Sequence, residues 1–79
     1  MLSYPGSAQE EGVEGTVKLK VLVTEKGSVA EVQIITSSGD HRLDSAAKEW
    51  VRGWRYRPAF QDGKPRRVYT HAAVQFELR

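Results

Sequence analysis

The 79-residue sequence contains no cysteine, one methionine and three prolines, and no apolar run approaches the 18 or so residues that a membrane span needs. Each absence removes a class of protein. Without cysteine there is no disulfide framework, zinc knuckle or thiol nucleophile, and thiol usage says nothing about the redox compartment. The N-terminal MLSYPGSAQEEG has neither the basic start nor the apolar centre of a secretory signal. No GxGxxG and no P-loop occurs, because the seven glycines are scattered at turns. Hydrophobic residues reach 39%, below the roughly 45–50% of globular domains, an average that also counts glycine. So short a chain buries only about 60–65% of its unfolded surface. A large enzyme cleft or a cofactor-binding Rossmann domain is therefore not expected, and no cofactor is implied.

The net charge of +2 conceals an asymmetry. Residues 1–40 hold 3 basic and 6 acidic residues, net −3, whereas residues 41–79 hold 9 and 4, net +5. The surface should be polarised rather than uniformly basic.

Periodicity supplies the elements. Pro5 suits the first position of a short helix, since its missing N–H costs nothing there, and Gly12 suits the stop. From Thr16 to Thr24 the pattern has period two, with Val17, Leu19, Val21 and Val23 on one face and Lys18 and Lys20 on the other. Glu25-Lys26-Gly27-Ser28 is a turn with glycine where positive φ is needed. A second alternating run sets Ala30, Val32, Ile34 and Thr36 against Glu31, Gln33 and Ile35, which predicts an antiparallel hairpin. Ser37-Ser38-Gly39 breaks the strand and Asp40 is placed to cap a helix. That helix carries an apolar stripe of Leu43, Ala46, Ala47, Trp50, Val51 and Trp54, and Gly53 marks its end. Trp54 to Phe60 reads as an extended link and Gln61 to Pro65 as a turn. A long strand from Arg67 to Leu78 alternates Val68, Thr70, Ala72, Val74, Phe76 and Leu78 against Tyr69, His71, Ala73, Gln75 and Glu77. The expected class is α+β, a small antiparallel sheet (hairpin plus long C-terminal strand) with a short N-terminal helix and one amphipathic helix packed on one face.

Chemistry-bearing residues are sparse. His41 and His71 are the two histidines, and with Asp40, Asp44 and Asp62 they form no metal-ligand spacing. Ser37, Ser38, His41 and Asp44 have the residue types of a hydrolase triad, but they lie within one turn and helix start, where capping accounts for them. No catalytic site is expected. Arg52, Arg55, Arg57, Lys64, Arg66 and Arg67 with Trp54, Tyr56 and Phe60 interleaved would suit nucleic acid. The alternation, however, points Trp54 and Tyr56 inward, where they cannot stack on bases. Arg55, Arg57, Arg66 and Arg67 then form a cationic rim suited to an acidic protein partner, and neither nucleic acid nor direct membrane contact is expected. The last strand has a nearly uncharged stretch, Tyr69-Thr70-His71-Ala72-Ala73-Val74. Its edge is protected at the start alone, by Pro65, Arg66 and Arg67. It is either a template for an added strand or an ordinary strand whose neighbour lies elsewhere in a longer chain.

The chain resembles the C-terminal domain of TonB and TonB-like energy transducers over nearly its whole length. Tyr4-Pro5-x-x-Ala8-x-x-x-Gly12-x-Glu14-Gly15 looks like the family's opening motif. Ser37-Ser38-Gly39 with Leu43-Asp44-x-Ala46-Ala47 looks like its helix start. Trp54-Arg55-Tyr56-x-Pro58-Ala59 with Gly63-Lys64-Pro65 resembles its Trp-Arg-Phe/Tyr-x-Pro signature and turn, and Val74-x-Phe76 its closing strand. The resemblance implies that residues 1–79 are one domain of a longer, membrane-anchored protein of a Gram-negative bacterium. The domain would lie in the periplasm, the full-length protein being anchored in the inner membrane. It implies that the TonB box of an outer-membrane transporter adds as a strand along Tyr69, Thr70, His71, Ala72, Ala73 and Val74. Tyr4 and Pro5 would lie near that contact. Inner-membrane motor subunits would be reached through an N-terminal part not contained in these residues. Family fragments can also exchange strands into homodimers, a hazard of open edges. The glutamine that some members carry before the Tyr-Pro pair is missing, so Met1, Leu2 and Ser3 receive no role. TonB-like domains also occur in structural or sensory envelope proteins, where the edge serves oligomerisation or cell-wall attachment.

Overall fold

A computed structural model describes residues 3–78. Met1 and Leu2 lie outside the described residues. The elements are α1 (Gly6–Glu10), β1 (Gly15–Val23), β2 (Val29–Thr36), α2 (His41–Arg52), β3 (Ala59–Gln61), β4 (Lys64–Arg66) and β5 (Val68–Phe76). Three strands form an antiparallel sheet in the order β2-β1-β5, and β3 pairs with β4 in a separate two-stranded ribbon. The α+β class expected from periodicity is the class observed.

The alternation of β1 becomes one-sided burial. Val17, Leu19, Val21 and Val23 are buried to within 1%. Leu43, Ala47 and Val51 of α2 close over them, joined by Val32, Val74, Phe76 and Ala8. Ala46, Trp50 and Trp54, the rest of the expected stripe, are half-buried at the edge of this core. Among the described residues, no helix lies on the opposite sheet face.

Local signals set the ends of the helices. Asp40 caps α2, its carboxylate accepting the Arg42 N–H at 2.8 Å. Gly53 ends the helix, but in the right-handed region at φ −91°, so no left-handed turn is needed there. Pro5 sits one residue earlier than expected, at the cap of α1 rather than its first turn. Gly27 takes φ +83°, and a Cβ added there would lie 2.1 Å from the Tyr56 carbonyl oxygen. Its own carbonyl accepts the Tyr56 N–H at 2.8 Å. The β1–β2 turn and the segment after α2 are therefore stitched together at a position where only glycine fits.

The link from Trp54 to Phe60 ends in a paired strand that the sequence did not mark, its last two residues beginning β3. The turn Gln61–Pro65 closes a hairpin, with Asp62 at φ +53° and Gly63 at φ +76°, the paired positive φ values of a tight two-residue hairpin turn. In β2, register irregularities fall between Leu22 and Val23 and between Lys18 and Leu19 of its partner. The first leaves Ala30 without a partner, so Val29 takes the half-buried place and Ala30 is exposed. The second leaves Ile35 unpaired and leaves Ile34 38% exposed. Strict alternation fails wherever an extra residue enters the ladder.

Asp44 is the one buried charged residue among those described. Burial disfavours its ionised form. Against this, the Ser37 hydroxyl and the Ser38 N–H (2.9 Å) and hydroxyl (2.7 Å) all donate to it, and together they hold its carboxyl below the usual range. Asp40 is pulled down to about 2, chiefly by the side-chain hydrogen bonds from Arg42. Ser37, Ser38, Asp40 and Asp44 are thus the latch between β2 and α2, as capping had suggested.

A carboxyl whose folded value is depressed supplies stability that is fully present above its unfolded value, about pH 4, and lost as the pH falls through the folded one. Denaturant midpoints should therefore fall between about pH 4 and pH 2. Asp44→Asn should cost about 1–3 kcal/mol at pH 7, because an amide cannot accept three such donors, and should flatten that acid limb. A midpoint for the variant equal to the parent's would refute the latch. The Tyr56 hydroxyl, by contrast, is buried with no partner among the described residues, and burial pushes its ionisation up. Tyr56→Phe should leave stability unchanged or raise it by up to about 1 kcal/mol, and a measured loss above that would reveal a partner for the hydroxyl.

Candidate functional site: the free edge of β5

The β5 strand pairs with β1 in nine consecutive, unshifted positions, from Gly15 with Phe76 to Val23 with Val68. On its other side no described strand pairs with it. In an antiparallel ladder every second residue turns its N–H and C=O away from the partner strand. The edge of β5 therefore presents a straight row of unpaired donors and acceptors. The second sheet edge, along β2, is irregular at both ends. Bulges twist an edge away from incoming strands, so β5 is the better template.

The six residues nominated from the sequence lie on this strand as expected. Tyr69, His71 and Ala73 are exposed, Thr70 and Ala72 are half-buried, and Val74 is buried in the core. Tyr69 is 55% exposed, and Lys20 holds its ammonium 4.3 Å from the centre of that ring. The two form a cation–π pair on the face opposite α2.

The other nominated residues bracket β5 from its two ends. Tyr4 packs edge-on against Phe76 with ring centroids 5.3 Å apart, and its hydroxyl donates to the Val13 carbonyl. Burial, and then the Glu14 carboxylate, push its ionisation up. Pro5 accepts the Gln9 N–H at 2.9 Å through its carbonyl. Tyr4 therefore fastens the segment before α1 to the far end of β5, while Pro5 opens α1 beside it. At the Tyr69 end, Arg67 pairs with Glu25 of the β1–β2 turn at 3.1 Å, and burial is slight enough that this pair lowers the Glu25 ionisation, the hydrogen bond from Arg67 being the main cause. Arg55 and Arg57 flank Tyr56, which is bonded to the same turn. Arg66 closes β4. Arg55, Arg57 and Arg66 make no ion pair among the described residues, so three cations of the rim are free and the fourth is engaged.

Sequence reasoning missed the ribbon beside them. Phe60 is 68% exposed and sits directly across from Pro65. Asp62-Gly63 was the available signal. The described residues contain no cluster of His, Asp or Glu able to hold a metal ion, and no helix among them is long and apolar enough to cross a membrane.

The comparisons with known proteins agree with this geometry. A family model described as Gram-negative bacterial TonB protein C-terminal matches residues 1–78. The chain is 33% identical over 75 residues to Protein TonB of Vibrio cholerae, covering 95% of this chain and 31% of that protein. It is 39% identical to Protein tonB2 of Pseudomonas aeruginosa, covering 95% and 28%. The solution structure of the Pseudomonas aeruginosa TonB CTD superposes with a TM-score of 0.81 at 26% identity, covering 99% of this chain and 79% of that one. The Helicobacter pylori TonB-CTD does so at 0.75 and 25%, covering 99% and 70%. The fold and its open edge thus define a small α+β domain with an antiparallel sheet. The chain belongs to the TonB C-terminal domain family. It spans about a third of the length of these curated relatives.

The edge itself is open to measurement. Amide hydrogen exchange along Tyr69–Val74 should alternate, with the amides bonded to β1 protected at least about tenfold more than their neighbours. Uniformly slow exchange would show that the edge is covered.

Proposed function

We propose that this domain grips extended segments of outer-membrane transporters, their TonB boxes, by strand addition to the free edge of β5. The observation that carries the reading is the unshifted nine-residue ladder of β5 beside an open edge, set against a β2 edge bulged at both ends. Added strands gain affinity from backbone hydrogen bonds, which tolerate sequence variation, and selectivity from alternate side chains. The pairing segment is Tyr69, Thr70, His71, Ala72, Ala73 and Val74. Tyr4 acts by fixing the far end of the strand, and Pro5, at the cap of α1, lies beside it. Arg55, Arg57 and Arg66 meet acidic surface around the docked segment, and Arg67 contributes less because Glu25 already occupies it.

In this reading the domain works in the periplasm of a Gram-negative cell as the terminal part of a longer, inner-membrane-anchored protein. It passes on force that inner-membrane motor subunits draw from the proton-motive force. Those subunits are reached through parts outside these 79 residues. The domain supplies the grip, and the rest of the protein supplies the pull.

Titration with a synthetic peptide from the N-terminal segment of such a transporter, followed by backbone amide signals, tests the reading. The largest shifts should fall on Tyr69–Val74, and shifts confined to other elements would overturn it. Proline placed in turn at His71 and Ala72 separates two roles, because one of these neighbouring amides bonds β1 and the other faces outward. At the outward position proline should weaken peptide binding about tenfold and keep the fold. At the inward one it should loosen the β1–β5 ladder. Equal affinity in both folded variants would exclude the edge.

A further inference from the structure

No residue of the β3–β4 ribbon joins the core, and neither of its strands packs extensively on another element. Every residue from Phe60 to Arg67 is exposed. Phe60, at 68%, is the most exposed large apolar side chain described. The register of the ribbon sorts its side chains. Cross-strand partners share a face, and successive pairs alternate between the two faces. Phe60 and Pro65 stand together on one side, while the Ala59–Arg66 and Gln61–Lys64 pairs lie on the other. One face is therefore apolar, and the other carries two cations.

Charge around the ribbon is nearly all of one sign. From Arg55 to Arg67 there are five cations and a single carboxylate, Asp62, at the turn. Arg67 is engaged by Glu25, but Arg57, Lys64 and Arg66 have no ion-pair partner among the described residues. An aromatic ring on one face and long cationic side chains on the other is the composition that holds amphipathic helices in the boundary layer of a bilayer. Here a ribbon carries it. The ring enters between headgroups and acyl chains, and lysine and arginine stems bend to keep their charges at the phosphates. A protein partner would need a cavity shaped to receive Phe60. A fluid headgroup layer needs none, and it closes around an exposed ribbon.

We infer that the β3–β4 ribbon docks on an anionic phospholipid surface, with Phe60 and Pro65 in the interfacial layer and Arg57, Lys64 and Arg66 at the lipid phosphates. Direct membrane contact was not expected from the residues alone, because the ribbon that makes it went unrecognised. Part of the acidic surface met by Arg57 and Arg66 is then lipid. The contact is independent of strand addition at β5. One ring and a few cations give weak, reversible attachment, so the ribbon holds the domain beside a bilayer without fixing it there.

Co-sedimentation with vesicles tests this, comparing phosphatidylethanolamine mixed with phosphatidylglycerol against phosphatidylcholine alone. Binding should require the anionic lipid and should weaken as salt is added. Phe60→Ser should reduce it about tenfold, as expected for a ring partly withdrawn from water. Lys64→Gln and Arg66→Gln should each reduce it about fivefold. Lys18→Gln, which removes the same charge from the three-stranded sheet, should leave it unchanged. These side chains are all exposed, so each variant should keep the parent's amide spectrum. Nitroxide-labelled lipid should broaden the amide signals of Phe60 to Arg66 most, and those of Thr16 and Gln75, at the opposite end of the sheet, least. Equal binding to neutral vesicles, or binding that survives both Phe60→Ser and Lys64→Gln, would overturn the inference. Failure to bind anionic vesicles would do the same, and ribbon signals that shift with soluble polyglutamate instead would show an acidic protein segment to be the partner.

Discussion

Everything in this domain hangs on β1. It is the central strand, paired with β2 on one side and β5 on the other, and its four inward valine and leucine residues form the middle of the core. A strand buried on one face and hydrogen-bonded along both edges has no freedom of register, because a one-residue slip would expose the whole apolar set. With β1 fixed, β5 is fixed through nine unshifted pairs. The position of α2 follows as well, since Leu43, Ala47 and Val51 have a single apolar surface to cover. A two-stranded hairpin of this size would be marginal in water. The third strand and the helix make it a domain, and the third strand is also where the open edge falls.

The ends of the sheet are secured by different chemistry. At one end aromatic packing dominates: Tyr4 stacks edge-on against Phe76, and Glu14 accepts the Leu78 N–H at 2.6 Å. At the other end the contacts are polar and local. Gly27 bonds Tyr56, Arg67 pairs with Glu25, and Thr24 shares a hydrogen bond with Ser28 at 2.7 Å. Between them, the Asp44 latch joins β2 to α2. Each fastening uses residues adjacent to β5 or its neighbours and none consumes its outer edge. Exposed ion pairs such as Arg67–Glu25 contribute little to stability individually, so that pair matters more as a guide for where β5 begins.

Much of this was legible in the residues. Period-two runs marked β1 and β5, and the α2 stripe and its Asp40 cap were explicit, because burial on one face leaves a regular trace. What escaped detection was whatever breaks regularity. The bulges exchanged Val29 for Ala30 on the inward face, and both are small apolar residues that a pattern cannot rank. The β3–β4 ribbon went unrecognised despite Asp62-Gly63, since strands of three exposed residues have no buried face to impose alternation. The candidate edge was legible by composition but not by position. The low charge of Tyr69–Val74 marked a usable strand, and family motifs pointed to it. That β5 lies at a sheet edge depends on its pairing with β1, some fifty residues away in sequence, and no local pattern encodes strand order.

On the strand-addition proposal, a domain this small gains from placing its binding capacity on an edge. Polar groups gathered into a buried pocket would have to be desolvated, at a cost comparable with the few kcal/mol by which small domains are stable. The unpaired amides and carbonyls of β5 are already hydrated, so leaving them open costs the fold little. A partner strand exchanges that water for backbone hydrogen bonds without disturbing the core on the other side of the pleat. Such an edge is also a hazard, since any strand could take it. On its outer face the uncharged stretch of β5 lies beside Lys18 and Lys20 of β1, and the bulge at Ile35 lies one strand further on. On the strand-addition proposal, fold and recognition occupy different directions of the same strand: the core lies inward and the grip lies along the edge.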